Sequence, residues 1–363
     1  MKKSKILALI LALTLCLAMF AACGSDPAPA PGNNDPAPAP GNNDSGLDLG
    51  GYTSDNPLVL KAAIFGYDSG DPMGNIIRAF EKNVVEATDG AVQFEVFTRG
   101  AMGFDKDVFE GVIMGTLDCG VNTTAIMSSY VPDLHVLDLN YLFDDYEMGC
   151  RFLKSEVYEE IKETVSETSG GAMILGMSYQ GLRSVLSNTK KVETPADMAG
   201  LKLRVIESTP YVEAFKAYGA SPQAMSAGEC VTGLQQGTID GQEASPQIAY
   251  FDGCTEYTKY ACLTEHVLQF VGISFSKKTF DAMTPDLQNI ILKAADDACY
   301  NLAENFKTDV EDFARAEMEA MGSEFVEVDK DAFKALVEPV NKKWLSENEL
   351  GAKWYEAIRA LAE

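Results

Sequence analysis

Residues 113–118 (IMGTLD) are echoed at residues 235–240 (QQGTID). Each copy closes a helical pattern and opens a strand pattern, and the shared glycine suits a helix C-terminus, where a left-handed residue is favoured. Two such junctions predict two similar α/β halves with a cleft between them. A chance likeness is the alternative, because helix–glycine–strand junctions are common.

Strand and helix patterns alternate around the first copy. Strand patterns occupy residues 58–65, 92–97 and 117–121, and helical patterns lie between them at residues 76–84 and 109–113. A strand-helix-strand-helix-strand order indicates an α/β fold with a parallel or mixed sheet.

A long helical pattern lies near the end of the chain. Residues 285–321 contain no interior proline or glycine, and their apolar stripe runs to Phe313. Thr284 suits an N-cap, with Pro285 as the first helical residue. A straight helix of this length would reach ~55 Å and would bridge two lobes. Two shorter helices with a break are the alternative.

The N-terminal residues predict export. A basic stretch is followed by the apolar residues 6–22 and by Cys23, which is the pattern of a signal peptide over residues 1–22. Residues 20–23 (FAAC) resemble a bacterial lipobox, which predicts acylation of the Cys23 sulfur. The alternative is an uncleaved anchor in which Cys23 is an ordinary thiol.

A tandem repeat follows. Residues 26–34 (DPAPAPGNN) recur at once as residues 35–43. The repeat has no large apolar side chain, so it cannot bury enough surface to offset the entropy lost on ordering. We therefore expect residues 23–55 to be a disordered, lipid-anchored linker.

The charge of the chain excludes two classes of partner. It has 29 basic and 54 acidic residues and a formal net charge of −25 at pH 7. Nucleic acids need a basic footprint, and anionic lipids attract basic segments. A small anionic ligand is not excluded, because exposed charges are screened beyond ~8 Å.

Catalytic and metal-binding motifs are missing from the sequence. His135 and His266 lie far apart, and there is no HExxH, P-loop or EF-hand motif. The six cysteines after Cys23 are widely spaced, and we expect buried free thiols, with a bridge such as Cys254 to Cys262 left open. No metal, cofactor or catalytic residue is predicted.

Arginine is scarce, with seven residues in the chain. Arg204 lies in an alternating strand pattern, on the face opposite to that of its apolar neighbours. Arg183 follows the apolar run 172–177. An arginine at a strand end can grip a carboxylate with two parallel hydrogen bonds, although a surface salt bridge is the alternative in so acidic a chain. Asn122 and Thr123 follow the carboxyl end of a strand, where open α/β sheets bind ligands.

Several short sequence segments follow one another in a characteristic order. They are residues 111–120 (GVIMGTLDCG), 130–134 (YVPDL), 181–183 (GLR), 194–205 (TPADMAGLKLRV), 218–222 (YGASP) and 234–243 (LQQGTIDGQE). Together they resemble the TRAP-transporter solute-binding proteins of the DctP type, in register over about residues 58–330.

The resemblance implies an α/β, two-lobed periplasmic-binding-protein-like (type II-like) fold with a long hinge-spanning helix. It implies a first lobe at residues 56–180 plus about 269–308 and a second at 181–268 plus about 309–345. A C-terminal helical segment follows at residues 346–363.

The resemblance also implies a function. A small organic acid anion would bind between the lobes without catalysis or cofactor and pass to a sodium-coupled TRAP permease. The receptor would be a monomer at the extracytoplasmic face of the cytoplasmic membrane.

The implied binding site centres on two arginines. Arg204 would clamp a carboxylate, and Arg183 would be a second anion contact. The other aligned pocket positions are Tyr67, Phe104, Asn122, Thr123, Ala227 and Ala244. The family often has Asn at position 244, an aromatic residue at 227 and a small or acidic residue at 104. These departures favour a less polar or bulkier acid than a four-carbon dicarboxylate.

Two other functions remain open from the sequence. The first is a secreted non-metal enzyme acting on acidic small molecules, which would need a titrating pair in the cleft. The second is a surface adhesion or scaffold protein, which would show no stabilisation by small molecules.

Overall fold

The computed structural model describes residues 46–68 and 70–362. The predicted signal peptide, Cys23 and both copies of the repeat lie outside the described residues. The end of the predicted linker differs from expectation, since Leu49 is buried and the Asp48 N–H donates to the Asp286 carboxylate at 2.7 Å. The fold therefore begins before residue 55, because Leu49 supplies the apolar side chain that the repeat lacks.

A mixed sheet runs through the described chain. Its strands are β1 (Leu58–Ala63), β2 (Val92–Phe97), β3 (Cys119–Thr123), β4 (Ala172–Ser187), β5 (Lys202–Val205), β6 (Ser221–Ala224), β7 (Gly241–Ala244), β8 (Tyr260–Ser276) and β9 (Glu324–Val326).

Helices connect and cover these strands. They are α1 (Pro72–Ala87), α2 (Asp105–Met114), α3 (Thr124–Met127), α4 (Tyr146–Phe152), α5 (Glu156–Thr168), α6 (Thr209–Ala217), α7 (Ala227–Gln236), α8 (Pro246–Phe251), α9 (Lys277–Asp281), α10 (Pro285–Phe306), α11 (Asp312–Ala320), α12 (Lys330–Glu347) and α13 (Glu349–Arg359).

The sheet consists of two similar halves around a central pair of strands. Its order is β2-β1-β3-β8-β4-β7-β5-β6, with β9 paired to β8. In the first half β1 runs parallel to β2 and β3, and in the second β5 runs parallel to β6 and β7. Between them β8 and β4 are antiparallel to each other, β8 is antiparallel to β3, and β4 is antiparallel to β7.

The repeated sequence occupies equivalent places in the two halves. Gly115 ends α2 and Gly237 ends α7, with left-handed φ angles of 69° and 66°. In each copy the final aspartate accepts a hydrogen bond from the backbone of the adjacent strand, at 2.8 Å for Asp118 and 2.9 Å for Asp240. The two junctions are therefore structural equivalents and not a chance likeness.

The central strands β4 and β8 pass through both halves. Their register shifts between residues 174 and 176, 179 and 181, and 183 and 185, and such bulges bend a strand. At the middle shift Gly181 has a φ of 110°, and a Cβ there would lie 1.5 Å from Gln247 Nε2. This bend requires a glycine.

The predicted long helix is present, but it is interrupted. α10 begins after the N-cap Thr284, residues 307–311 form a π-helical turn, and α11 continues the path. Because a π-turn inserts a residue, the buried stripe changes phase. Phe313 was predicted to be buried and is half exposed, whereas Ala314 and Met318 are buried.

The apolar core covers both faces of the first half of the sheet. Ala62 and Ala63 are neighbours on β1 and lie in different buried clusters, because successive residues of a strand point to opposite faces. In the predicted C-terminal segment, α13 adds Trp354, whose Nε1 donates to Glu160 Oε1 at 3.1 Å. The second half has clusters of its own.

Two further features concern the described residues as a whole. The six cysteines after position 46 are free thiols, so Cys254 and Cys262 are not bridged. A search of the same residues for a helix long and apolar enough to span a bilayer found none.

Candidate functional site

A cavity of about 300 Å³ lies where the two halves of the sheet meet. The first half contributes the start of α2 and the end of β3. The second half contributes β5, β7, α8 and the start of α7. This volume is at the lower end for ligand pockets, so the cavity suits a small molecule.

Arg204 presents a positive charge to the cavity. The side chain lies on β5 and is 7% exposed, and its Nε donates to the Met225 carbonyl at 3.0 Å. Among the described residues, no carboxylate lies within ion-pair distance of the guanidinium, and its two terminal nitrogens have no protein acceptor. These free donors can bind an anion.

Arg183 also lines the cavity, but its charge is already matched. Its Nε lies 2.6 Å from Glu243 Oε2, and its Nη2 donates to the Glu243 carbonyl at 2.6 Å. Burial alone would raise the pKa of Glu243. The charge and hydrogen bonds of Arg183, together with the nearby His266, whose Nε2 lies 3.5 Å from Glu243 Oε2, outweigh that effect and lower this pKa to about 2. Arg183 is thus held rigidly, with Nη1 left over for another partner.

Asp105, at the start of α2, brings a carboxylate to the cavity from the first half of the molecule. Thr123 Oγ1 donates to Asp105 Oδ2 at 2.6 Å, and Asn122 Nδ2 donates to Asp105 Oδ1 at 2.8 Å. Burial raises the pKa of Asp105 to about 6, although these two hydrogen bonds act in the other direction. Asp105 therefore changes charge close to neutral pH.

Two more polar side chains of the cavity wall have hydrogen-bonding atoms that no described residue satisfies. Gln242 Nε2 is buried and has no hydrogen-bond partner within the described part of the chain, whereas its Oε1 accepts from Cys230 Sγ at 3.2 Å. Asp252 follows α8, and burial together with the charge of Asp71 raises its pKa to about 7. A ligand with several oxygen atoms could satisfy both groups.

Phe104 covers one side of the cavity from the first half. The residue is 41% exposed, and its ring lies against Gly228, where a Cβ would come within 2.1 Å of the ring. Ala227 and Ala244 line the cavity from the second half with small side chains. An aromatic residue from the first half therefore occupies space next to small residues of the second.

The structure brings together most of the predicted contact residues. Six of them line the cavity, namely Arg204, Arg183, Phe104, Thr123, Ala227 and Ala244. Tyr67 does not, because its ring lies beneath the Arg99 guanidinium at 5.0 Å. Asn122 does not either, because its amide is directed at Asp105.

Sequence reasoning missed several polar residues of the cavity, among them Asp105, Gln242 and Asp252. Asp105 stands at a predicted helix start, which was a usable signal. Asp252 has no motif around it and is one of 54 acidic residues. Within residues 46–68 and 70–362, no group of three or more His, Cys, Asp or Glu side chains could hold a metal ion.

An α/β sheet of two equivalent halves, with a charged cavity between them, defines the class of two-lobed solute receptors. Within that class, the chain belongs to the family of bacterial extracellular solute-binding proteins, family 7 (DctP), which its residues 66–348 match. The prediction of a TRAP-type solute-binding protein is confirmed.

Similar proteins cover most of the chain. The 2,3-diketo-L-gulonate-binding periplasmic protein YiaO of Escherichia coli K12 is 28% identical over 247 residues, which are 68% of this chain and 75% of that protein. Two solved TRAP periplasmic solute-binding proteins each superpose with a TM-score of 0.79. One is from Sulfitobacter sp. NAS-14.1 with bound β-D-galacturonate (26% identity, 83% of this chain and 99% of that one). The other is from Polaromonas sp. JS666 bound to D-erythronate (25% identity, 84% and 98%).

Proposed function

We propose that the chain binds one small organic acid anion in the cavity and holds its carboxylate on Arg204. The observation that carries this proposal is the buried Arg204 guanidinium, which faces the cavity without an acidic partner among the described residues. A buried charge is unfavourable until a counter-charge joins it. Charge-assisted hydrogen bonds of ~1.5–3 kcal/mol each would hold the carboxylate there.

The ligands of the similar proteins support a hydroxylated acid. Diketogulonate, galacturonate and erythronate each combine a carboxylate with several other oxygen atoms. Gln242 Nε2, which has no hydrogen-bond partner among the described residues, offers this chain a donor for one such atom. The proposed ligand is thus more polar than the departures at positions 227 and 244 suggested.

Arg183 has a supporting role in this proposal. Two of its nitrogens bind Glu243, so Nη1 would be its contact with the ligand. A rigid second guanidinium would fix the orientation of the acid at little entropic cost.

The lobes would close over the acid by bending the two central strands. We infer boundaries near residues 180 and 269, so that the first lobe is 56–180 plus about 269–308 and the second is 181–268 plus about 309–345. The register shift between residues 179 and 181 supports this position, because bulges are places where strands bend.

The receptor would act beside the membrane. A lipid on Cys23 and the linker that follows would hold a monomeric receptor at the extracytoplasmic face of the cytoplasmic membrane. It would then meet a sodium-coupled TRAP permease at a raised effective concentration.

Ligand binding is tested with Arg204→Ala and the matched control Arg315→Ala, which removes an exposed arginine paired with Glu319. Thermal unfolding and calorimetry with D-galacturonate, D-erythronate and 2,3-diketo-L-gulonate should show stabilisation of ~2.7 kcal/mol at a hundredfold excess over Kd. Arg204→Ala should lose at least a hundredfold in affinity, and Arg315→Ala should not.

Three results would count against the proposal or a part of it. If native mass spectrometry of the purified protein and the acid panel revealed no bound acid, the receptor function would be wrong. Unchanged affinity in Arg204→Ala would refute only the clamp. Recovery of a chemically altered ligand would favour the enzyme instead, whereas the receptor should return its ligand unchanged.

A further inference from the structure

In the wall of the cavity, Asp252 is an acidic side chain with no hydrogen-bond or ion-pair partner among the described residues. It lies directly after α8, and its backbone N–H donates to the Ile248 carbonyl at 2.9 Å. Its carboxyl group makes no hydrogen bond and no ion pair with any other residue that the structure describes. Asp105, in the same cavity, has hydrogen bonds from Thr123 and Asn122.

The position of Asp252 is unfavourable for a negative charge. A carboxylate at a helix C-terminus faces the negative end of the helix dipole. The group is also partly buried, and the buried Asp71 acts on it with the same sign of charge. Among the described residues, only the charge of Arg204 acts against this arrangement, so Asp252 is better explained by a ligand than by stability.

The positive charges of the cavity are mostly taken. Arg183 is neutralised by Glu243, and Lys106 lies 4.0 Å from Glu110 at the surface. Arg204 is left as the one lining cation without an acidic partner among the described residues. A first carboxylate can bind Arg204, whereas a second one would find in the cavity wall only the exposed Lys106, which lies beside Glu110, and would meet acidic side chains that include Asp252.

We propose that Asp252 makes the receptor selective for hydroxylated monocarboxylates, by accepting a hydrogen bond from a ligand hydroxyl and by repelling a second carboxylate. This inference rests on the proposed function and adds to it the residue that sets the charge of the ligand. A hydroxyl donates to a carboxylate oxygen in a short, charge-assisted bond. Two carboxylates at the same place repel each other, and one of them must take up a proton.

The experiment compares acids that differ only in the terminal group. The matched pairs are D-erythronate with meso-tartrate, and D-gluconate with D-glucarate, in each of which a terminal CH₂OH is replaced by a carboxylate. Affinities are measured by calorimetry at pH 8 for the full chain and for Asp252→Asn and Asp252→Ala. Glu256→Gln is the matched control, since it removes an exposed acid four residues away outside the cavity.

In the unaltered protein, the monocarboxylate of at least one pair should bind at least tenfold more tightly than its dicarboxylate. Asp252→Asn keeps the shape of the side chain, and it should reduce this ratio to near one by strengthening dicarboxylate binding. Asp252→Ala should in addition weaken the monocarboxylate, because the acceptor is gone. Glu256→Gln should leave the ratio unchanged.

Some outcomes would overturn only the role of Asp252, and another would overturn the proposed function as well. Preference for the dicarboxylate, or an unaltered ratio in Asp252→Asn, would remove the role of Asp252 while leaving the receptor function intact. If none of the acids bound and none copurified with the protein, the proposed function and this inference would fall together.

Discussion

The Phe104 ring lies so close to Gly228 that a Cβ at position 228 would come 2.1 Å from Phe104 Cζ. Phe104 stands at the start of α2 in the first half of the molecule, and Gly228 lies in the first turn of α7 in the second. This contact therefore joins the two halves at the edge of the cavity.

We predict that Gly228→Ala weakens ligand binding by roughly tenfold, equivalent to ~1.4 kcal/mol of overpacking. The added methyl would push the ring away and hold the halves apart, so the dissociation rate measured by stopped flow should rise. In the Phe104→Ala background, the same substitution should have little further effect. Additive losses in this double-mutant cycle would show that the contact is not the cause.

Loss of the acid that neutralises Arg183 should destabilise the fold. Glu243→Gln leaves the Arg183 guanidinium buried without its counter-charge, and breaking one side of a buried pair is worth ~3–5 kcal/mol. Urea denaturation measures this difference. A joint replacement, Arg183→Met with Glu243→Gln, should be less destabilised than Glu243→Gln alone.

The ion pair between Arg183 and Glu243 also predicts how the stability of the fold changes at acid pH. The pKa of Glu243 is lowered from 4.5 to about 2 in the folded state. A lowered folded pKa stabilises the protein above the unfolded value, and that stabilisation is lost as the pH falls from 4.5 towards 2. The loss should reach at most about 3 kcal/mol, and it should disappear in a pH titration of Glu243→Gln.

The affinity for a dicarboxylate such as meso-tartrate should fall as the pH rises through about 7. Asp252 has a pKa near 7 in the free protein, and its charged form repels the second carboxylate of such a ligand. Asp252 interacts electrostatically with four other titratable groups, namely Asp71, Arg204, Cys230 and Cys254. Calorimetry between pH 6 and 8.5 should show the decrease.

Asp252→Asn is the control for this pH dependence. It should remove most of the change above pH 7 and leave the smaller change from Asp105, whose pKa is about 6. An unchanged profile in the variant would assign the titration to another group.

Gly181 should tolerate no side chain. In Gly181→Ala the new Cβ would overlap Gln247 Nε2 and displace its hydrogen bond to the Gln180 carbonyl, which is 3.0 Å long. With the unfavourable φ of 110°, we expect a loss of ~2–4 kcal/mol in urea unfolding. Gly200→Ala is the matched control, since its φ is also positive and no atom lies within 4 Å of the new Cβ, so it should lose only ~1 kcal/mol.

Much of the fold could be predicted because it depends on local patterns. Residues 113–118 resemble residues 235–240, and this resemblance identified two helix ends. The shared glycine is sufficient for that, because in both copies it takes the left-handed conformation that ends the helix. Arg204 could be found because arginine is scarce in the chain and this one lies in an alternating strand pattern, and the family resemblance then implied its role. These signals lie within a few neighbouring residues.

The remainder depends on contacts that the local sequence does not carry. The π-turn at residues 307–311 changed the buried face of the long helix, so Phe313 was placed on the wrong side. Tyr67 lies under Arg99, which is distant in sequence and could equally have faced solvent. Asp252 became conspicuous only when its missing partners could be seen in three dimensions.

The pairing of β4 with β8 has a consequence for how the chain unfolds. Both strands cross from one half to the other and contact each other along most of their length, so neither half consists of one continuous piece of chain. Strand pairing over so long a sequence separation forms slowly, because a large loop must close before the contacts stabilise it. The same arrangement couples the halves energetically, so that residues 58–326 should melt as a single cooperative unit and not one half at a time.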